Sequence, residues 1–552
     1  MAFSSSSPRS FYSAVPDVDN SRPVSPSGPR YRPSKPMSAQ LLEDCHIYFD
    51  EQLYSNVLTL LSDVVAAGSS HPDRLTRAVI TPITLHIELV SSLLIHPRWT
   101  TQARADERGN LPARSITLLR NLLDILGPVN AKLADAFALT PSVPSRKNRS
   151  LRRGQARHMV REYGTSGSDD DTTDEIRGVI ANQGRLKQCA QDFWHIVGWA
   201  FNCSVRYPKR WQYWKVWLDF MLDVLDKDYL EREKLEENVG SGLENPGTSL
   251  SSCLLVRYLS EVNGRSIAMK RIVRSVFSNG SFESLKEFPE VYRNETKEAK
   301  SENVLKRKRV DSIPQQTFGD YEDGLDDDDL ESPDEDFSDE DEDGAPSISG
   351  LGGVESIALR QRIVGLLSRV SAYLPDHFAP VADLYDALYF SMKSLSAPSL
   401  SLFLTPSASS YLLEVVQVSL TQFLLMRLLS NDAPPPRKFT RSNSDAITEE
   451  VLESCFLPFG ASSSSVEENA KASALIEIAF NLLVRRGSYP YSARLERAAE
   501  KGIKEREGSS NRIDKRKKIN KKANGVDGHM VWLKSSSERL RCLVSLVKFQ
   551  DS

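Results

Sequence analysis

The sequence predicts an all-α protein: irregular helical hairpins, bundles or helical-repeat-like blocks, separated by long disordered linkers. Three observations carry that prediction. Long stretches place apolar residues in steps of three and four, which aligns them on one side of an α-helix. Few stretches alternate with the period of two that a half-buried strand needs. Hydrophobic residues make up 40% of the 552 residues, a dilution that points to folded blocks joined by polar chain.

Residues 1–37 are rich in Ser, Pro and Arg and too poor in apolar side chains to offset about 1–2 kcal/mol of ordering per residue, so they read as a disordered tail. They contain no apolar run of the secretory kind, and Asp17, Asp19 and four prolines by position 26 argue against a mitochondrial presequence. The first helical block spans 38–140. Ser38 precedes a helix whose stripe includes Leu41, Cys45, Phe49, Leu53, Val57, Leu61 and Val65, and Gly68 ends it. A second helix is expected from about Asp73 to Ile95 with a break at Pro82, and a third from Arg114 to Leu139, split at Gly127-Pro128.

After a charged linker (141–175), residues 176–280 hold five of the seven tryptophans: Trp194, Trp199, Trp211, Trp214 and Trp217. Two helices flank a Tyr207-Pro208 turn, and in the second Trp211, Trp214, Leu218, Met221, Leu222 and Leu225 follow helical steps. That spacing is what a core face needs, so these rings are expected inside a bundle. A surface that stacks nucleic-acid bases is the alternative. Lys209 and Arg210, at the helix start, are expected in solvent. A third helix spans Ser251 to Phe277.

Residues 281–352 read as a disordered linker. It carries the run Lys306, Arg307, Lys308, Arg309 and then an acidic strap, in which sixteen of the twenty-four residues from Asp320 to Asp343 are acidic and none is basic. The net charge of −4 therefore belongs to a basic body with one acidic segment. A C-terminal helical block (354–486), a basic linker (487–528) and a terminal amphipathic helix (529–552) complete the order. Helix starts are compatible with hairpins at intervals of about 35–45 residues, but no shared repeat signature recurs.

The composition bounds the function. Six cysteines lie far apart with no CxxC pair, as expected of reduced intracellular thiols. No run of eighteen apolar residues suits a membrane span. The eight histidines are scattered, no Cys/His spacing suits zinc, and no phosphate-binding loop or nucleophile elbow is present, so neither cofactor nor metal is expected.

The expected function is a non-enzymatic scaffold or adaptor subunit of a larger nuclear assembly, acting on chromatin, DNA maintenance or ribosome production. The expected location is the nucleus, the nucleolus included. The address rests on Lys306–Arg309 and on a second cluster: Lys515, Arg516, Lys517, Lys518, Lys521 and Lys522. Such cations suit the acidic grooves of import receptors. Ser25, Ser168, Ser332 and Ser338 are candidate phosphosites, the first before proline and the others among acids. The strap suits histones or other basic proteins. The first alternative is direct nucleic-acid binding through 145–161 and 485–522, the latter with fourteen basic and five acidic residues. The second is an enzyme with a site assembled from distant residues.

Overall fold

The computed structural model of the chain describes residues 31–70, 76–103, 109–139, 176, 178–182, 184–238, 250–260, 265–297, 350–405, 412–439, 447–487, 489–517 and 524–550. The fold is all-α. The described residues form twenty α-helices and one short parallel strand pair, Ser34–Lys35 (β1) with Val79–Ile80 (β2).

Where one helix is expected from Ser38, there are two, α1 (Ala39–Asp50) and α2 (Tyr54–Ser69). Ser38 caps α1 by accepting from the Leu41 N–H. Gln52, at φ 57°, turns the chain between them. α2 ends at Ser69, within a residue of the expected end at Gly68, and a Cβ on Gly68 would sit 2.9 Å from a Val79 methyl, so the glycine makes room for β2. α3 (Thr84–Ile95) begins after Pro82, and α4 (Asn110–Ile125), α5 (Gly127–Asn130) and α6 (Leu133–Ala136) follow, split at Gly127 as the sequence suggests.

Residues 31–37 belong to the fold and not to a tail. The Asn130 side chain donates to the Arg32 carbonyl at 3.0 Å, and Arg32 donates to the Gly68 carbonyl. The Tyr31 ring fills the space that Gly127, at φ 72°, leaves beside its Cα.

α7 (Leu186–Cys189), α8 (Phe193–Arg206) and α9 (Pro208–Asn238) form the centre, with the Tyr207-Pro208 turn between the last two. Trp194, Trp199, Trp214 and Trp217 are fully buried, whereas Trp211 is half-buried at the edge. Within the helix expected from Ser251 to Phe277, the described residues form α10 (Leu254–Ser260) and α11 (Arg265–Val276), and 261–264 lie outside the described residues.

Residues 281–297 depart from the linker expected over 281–352. They form α12 (Phe282–Glu287) and a buried turn through Phe288, Val291, Tyr292 and Glu295. Gly198 on α8 makes room for this turn, since a Cβ there would lie 2.3 Å from the Phe288 ring. The remainder of that linker up to 349, the N-terminal segment 1–30 and the charged linker 141–175 lie outside the described residues.

The C-terminal part runs α13 (Val354–Tyr373), α14 (Val381–Lys393), α15 (Ala397–Leu404), α16 (Glu414–Leu428) and α17 (Glu449–Val451). The last continues into a π-helical turn over Leu452–Phe456. α18 (Val466–Arg486), α19 (Ala493–Lys517) and α20 (Asn524–Gln550) close the chain. α19 occupies most of what reads as a basic linker. Its polar majority hides a buried stripe of Leu495, Ala498, Ala499 and Ile503.

The blocks that are distinct along the sequence are continuous in space. α9 packs on α3, α4, α8 and α13; α11 and α13 pack on α14; α18 gathers α15, α16, α19 and α20. One apolar cluster runs through them from Cys45 to Val547. Between α9 and α13 the contact is also ionic. Arg362 meets Asp219, Asp223 and Asp226 at 2.9, 2.7 and 3.2 Å, three carboxylates spaced to share one face of α9.

Candidate interaction surface

Two buried arginines set the positions of the helices around the site. Arg210, expected in solvent, is 2% exposed. Its Nε donates to Glu295 Oε2 at 2.9 Å, and its Nη groups donate to Thr100 and to the Ile95 carbonyl, the last residue of α3. Glu295 Oε2 also accepts from Trp214 Nε1, and Oε1 accepts from the backbone N–H groups of Val291 and Tyr292. Burial pushes the Glu295 carboxyl up, while Arg210 and these donors oppose that rise.

Arg360 on α13 is wholly buried. It donates to the carbonyls of Val276 and Ser278 and lies 4.0 Å over the Phe201 ring. A cation at the carbonyl end of α3 and another at that of α11 complement the negative pole of each helix.

These anchors hold α11, α12 and the start of α13 beside α14, and an open groove of about 580 Å³ lies between them. Phe277, Phe288, Leu351 and Leu395 supply its apolar lining, and seryl hydroxyls from both walls, Ser281 and Ser284 against Ser391 and Ser394, supply hydrogen-bonding groups. Of the lining charges, Arg274 and Glu287 neutralise each other through a forked contact, with Nε at 2.8 Å and Nη2 at 2.7 Å. Glu283 is the remaining charged lining residue.

Next in sequence to lining residues of either wall, Phe282 of α12 is 79% exposed and Phe390 of α14 is 68% exposed. Two phenylalanines held in water beside a shallow, hydroxyl-rich groove suit the burial of a partner's apolar side chain better than the conversion of a small molecule.

The residues singled out from sequence fall elsewhere. Lys306, Arg307, Lys308, Arg309, Lys518, Lys521 and Lys522 lie outside the described residues, as do Ser25, Ser168, Ser332 and Ser338. Lys515, Arg516 and Lys517 form the last residues of α19, in a helix where the sequence suggests a basic linker. Segment 145–161 is likewise outside the described residues.

Among the described residues no group of three His, Cys, Asp or Glu side chains converges as a metal site would require. His46 and His86, forty residues apart in sequence, bring their rings to 5.2 Å, edge to face. His86 is fully buried with neither ring nitrogen hydrogen-bonded, and burial drives its pKa down to about 3. No sequence signal points to the groove, because its walls come from three separated segments and the phenylalanines next to its lining residues look like ordinary helix residues.

Neither the known protein-family models nor the curated proteins include a match to this chain.

Proposed function

We propose that the protein is a non-enzymatic scaffold or adaptor that holds other protein subunits of a nuclear assembly, through exposed apolar positions on a rigid helical array. The observation that carries this reading is the groove between α11, α12 and α14, with Phe282 and Phe390 exposed next in sequence to its lining residues. Exposed aromatic rings beside a hydroxyl-lined groove are the composition of an interface core awaiting its partner. The continuous core supports the same reading, since a rigid framework binds with little ordering cost. The nuclear part rests on the basic clusters at Lys306–Arg309 and Lys515–Lys522, and the acidic strap adds a complement for basic proteins such as histones.

The test is affinity purification of tagged full-length protein beside its Phe282→Asp, Phe390→Asp variant, with imaging of both. The expected result is a stoichiometric nuclear partner that the wild type holds and the variant loses, while both accumulate in the nucleus. Recovery of no stoichiometric partner, or a cytoplasmic wild type, overturns the reading.

A further inference from the structure

α19 sorts most of its charges by face, with Glu505 an exception. Its apolar stripe, Leu495, Ala498, Ala499 and Ile503, is buried. Its acidic residues Glu496 and Glu500 face α20, where Lys548 and Arg541 meet them at 3.7 and 2.8 Å. Its basic residues Arg494, Arg497, Lys501 and Lys504 are all exposed. At 3.6 residues per turn these four fall within an arc of roughly 80° and extend over about 15 Å of helix axis.

The local partners leave most of this charge in water. Arg494 donates to Ser454 and lies 3.9 Å from Glu453, whose carboxylate is already held by Tyr489 and Ser492. Arg497 donates to the Ala493 carbonyl, a bond that leaves its charge intact. Lys501 rests over the Phe459 ring at 5.4 Å. Lys504 lies near Glu500, which Arg541 neutralises, and Glu505 is the exposed acid beside the row.

We propose that this face of α19 is a docking track for the phosphate backbone of duplex nucleic acid, separate from the protein-binding groove. Two features favour phosphates over an acidic peptide. Protein interfaces draw most of their affinity from a few large side chains seated in pockets, and among the described residues α19 exposes no large apolar side chain that would frame such a pocket. A duplex presents a phosphate about every 3.4 Å of axis on each strand. Each of the four cations on the 15 Å row can therefore meet a phosphate along the edge of a groove, four contacts at most. The two arginines add forked donors that match phosphate oxygens.

The experiment measures binding of a labelled 20-base-pair DNA duplex to full-length protein by fluorescence anisotropy, between 50 and 200 mM salt. Four phosphate contacts contribute about −3.6 to the slope of log affinity against log salt, equivalent to roughly a 150-fold loss over that range. The variant Arg494→Gln, Arg497→Gln, Lys501→Gln, Lys504→Gln is expected to have a slope shallower by about 3.6.

The triple variant that keeps Arg494, with its Ser454 bond, is expected to lose about 2.7 of that slope, and it serves if the quadruple variant does not fold. Other basic segments add a common background that the difference removes. The same pair is compared in a protein whose acids from Asp320 to Asp343 are changed to Asn and Gln, so that the chain's own polyanion does not compete.

A slope unchanged by folded variants in both backgrounds overturns the proposal, as does an absence of binding at 50 mM salt in both. Binding of a polyglutamate peptide with the same slope and no DNA binding also overturns it. The groove variant at Phe282 and Phe390 is expected to bind DNA like wild type, which keeps this outcome distinct from that of the scaffold reading.

Discussion

The Arg210 guanidinium and the Glu295 carboxylate meet inside the core although 85 residues separate them, and both are essentially sealed from water. The pair ties the segment after α12 to the start of α9, and through the Ile95 carbonyl to α3. Removing one partner strands the other charge in a medium where it has no water to turn to. Glu295→Ala is therefore expected to destabilise the protein by about 3–5 kcal/mol, and Arg210→Met, Glu295→Leu together by clearly less. Urea denaturation of the three proteins checks this. A double variant no more stable than Glu295→Ala contradicts the account.

The tryptophan face and Phe282 beside the groove make opposite predictions from similar side chains. Trp214 has no exposed surface and packs edge to face on Trp217 at 5.9 Å, whereas Phe282 is mostly in water. Trp214→Ala is expected to lower stability by about 3–5 kcal/mol. Phe282→Ala is expected to change it by no more than about 0.5 kcal/mol. Thermal melts of the two variants decide it. A Trp214→Ala protein as stable as wild type would return that ring to the alternative role of a binding surface.

Helical periodicity made the central helices legible, and the burial of Trp214, Leu218 and Met221 follows from their spacing. Arg210 misled because a cation beside a proline turn normally faces solvent, and nothing within ten residues reveals a carboxylate 85 positions away. Residues 281–297 misled for a related reason. Their average composition is polar, yet the few residues that matter, Phe288, Val291, Tyr292 and Glu295, are all buried. In α19 the buried stripe is short, with only Leu495 and Ile503 as large members beside Ala498 and Ala499, so charged residues dominate the pattern that the sequence presents. The groove was not legible at all, since it exists only once α11, α12 and α14 have met.

His86 predicts an acid-sensitive fold. Its ring is buried beside His46 and Phe49, at 5.2 and 5.4 Å, with both nitrogens lacking a hydrogen bond. Burial first, and the His46 charge second, hold its pKa near 3 against the ordinary 6.5. The folded state thus keeps His86 neutral while the unfolded chain takes up a proton below pH 6.5. The unfolded state binds more protons in that window, so stability falls as pH drops from 6.5 towards 3, by about 1.4 kcal/mol per unit from this residue. Between pH 6.5 and 5 the wild type is expected to lose about 2 kcal/mol more than His86→Leu. Denaturation curves at the two pH values for both proteins give the difference. Equal losses would mean that the folded protein protonates His86.

Gly198 sets helix propensity against packing. It lies inside α8, where alanine is intrinsically favoured over glycine by about 1 kcal/mol. The space of its missing Cβ belongs to Phe288, whose ring would lie at 2.3, 2.6 and 2.7 Å from an added methyl carbon. Phe288 cannot simply swing away. Its carbonyl accepts from Asn202, the neighbouring Pro289 carbonyl contacts His195 Nε2, and Arg271 stands over the ring at 5.5 Å. Gly198→Ala is therefore expected to be destabilising by about 1–3 kcal/mol, the overpacking penalty outweighing the propensity gain. Adding Phe288→Leu, which removes the bulk of the ring, is expected to make the alanine less harmful than it is in the wild-type background. A double-mutant cycle by chemical denaturation measures that coupling. A stabilising Gly198→Ala, or additive effects of the two changes, would show that α8 and the segment after α12 do not pack as closely as the structure places them.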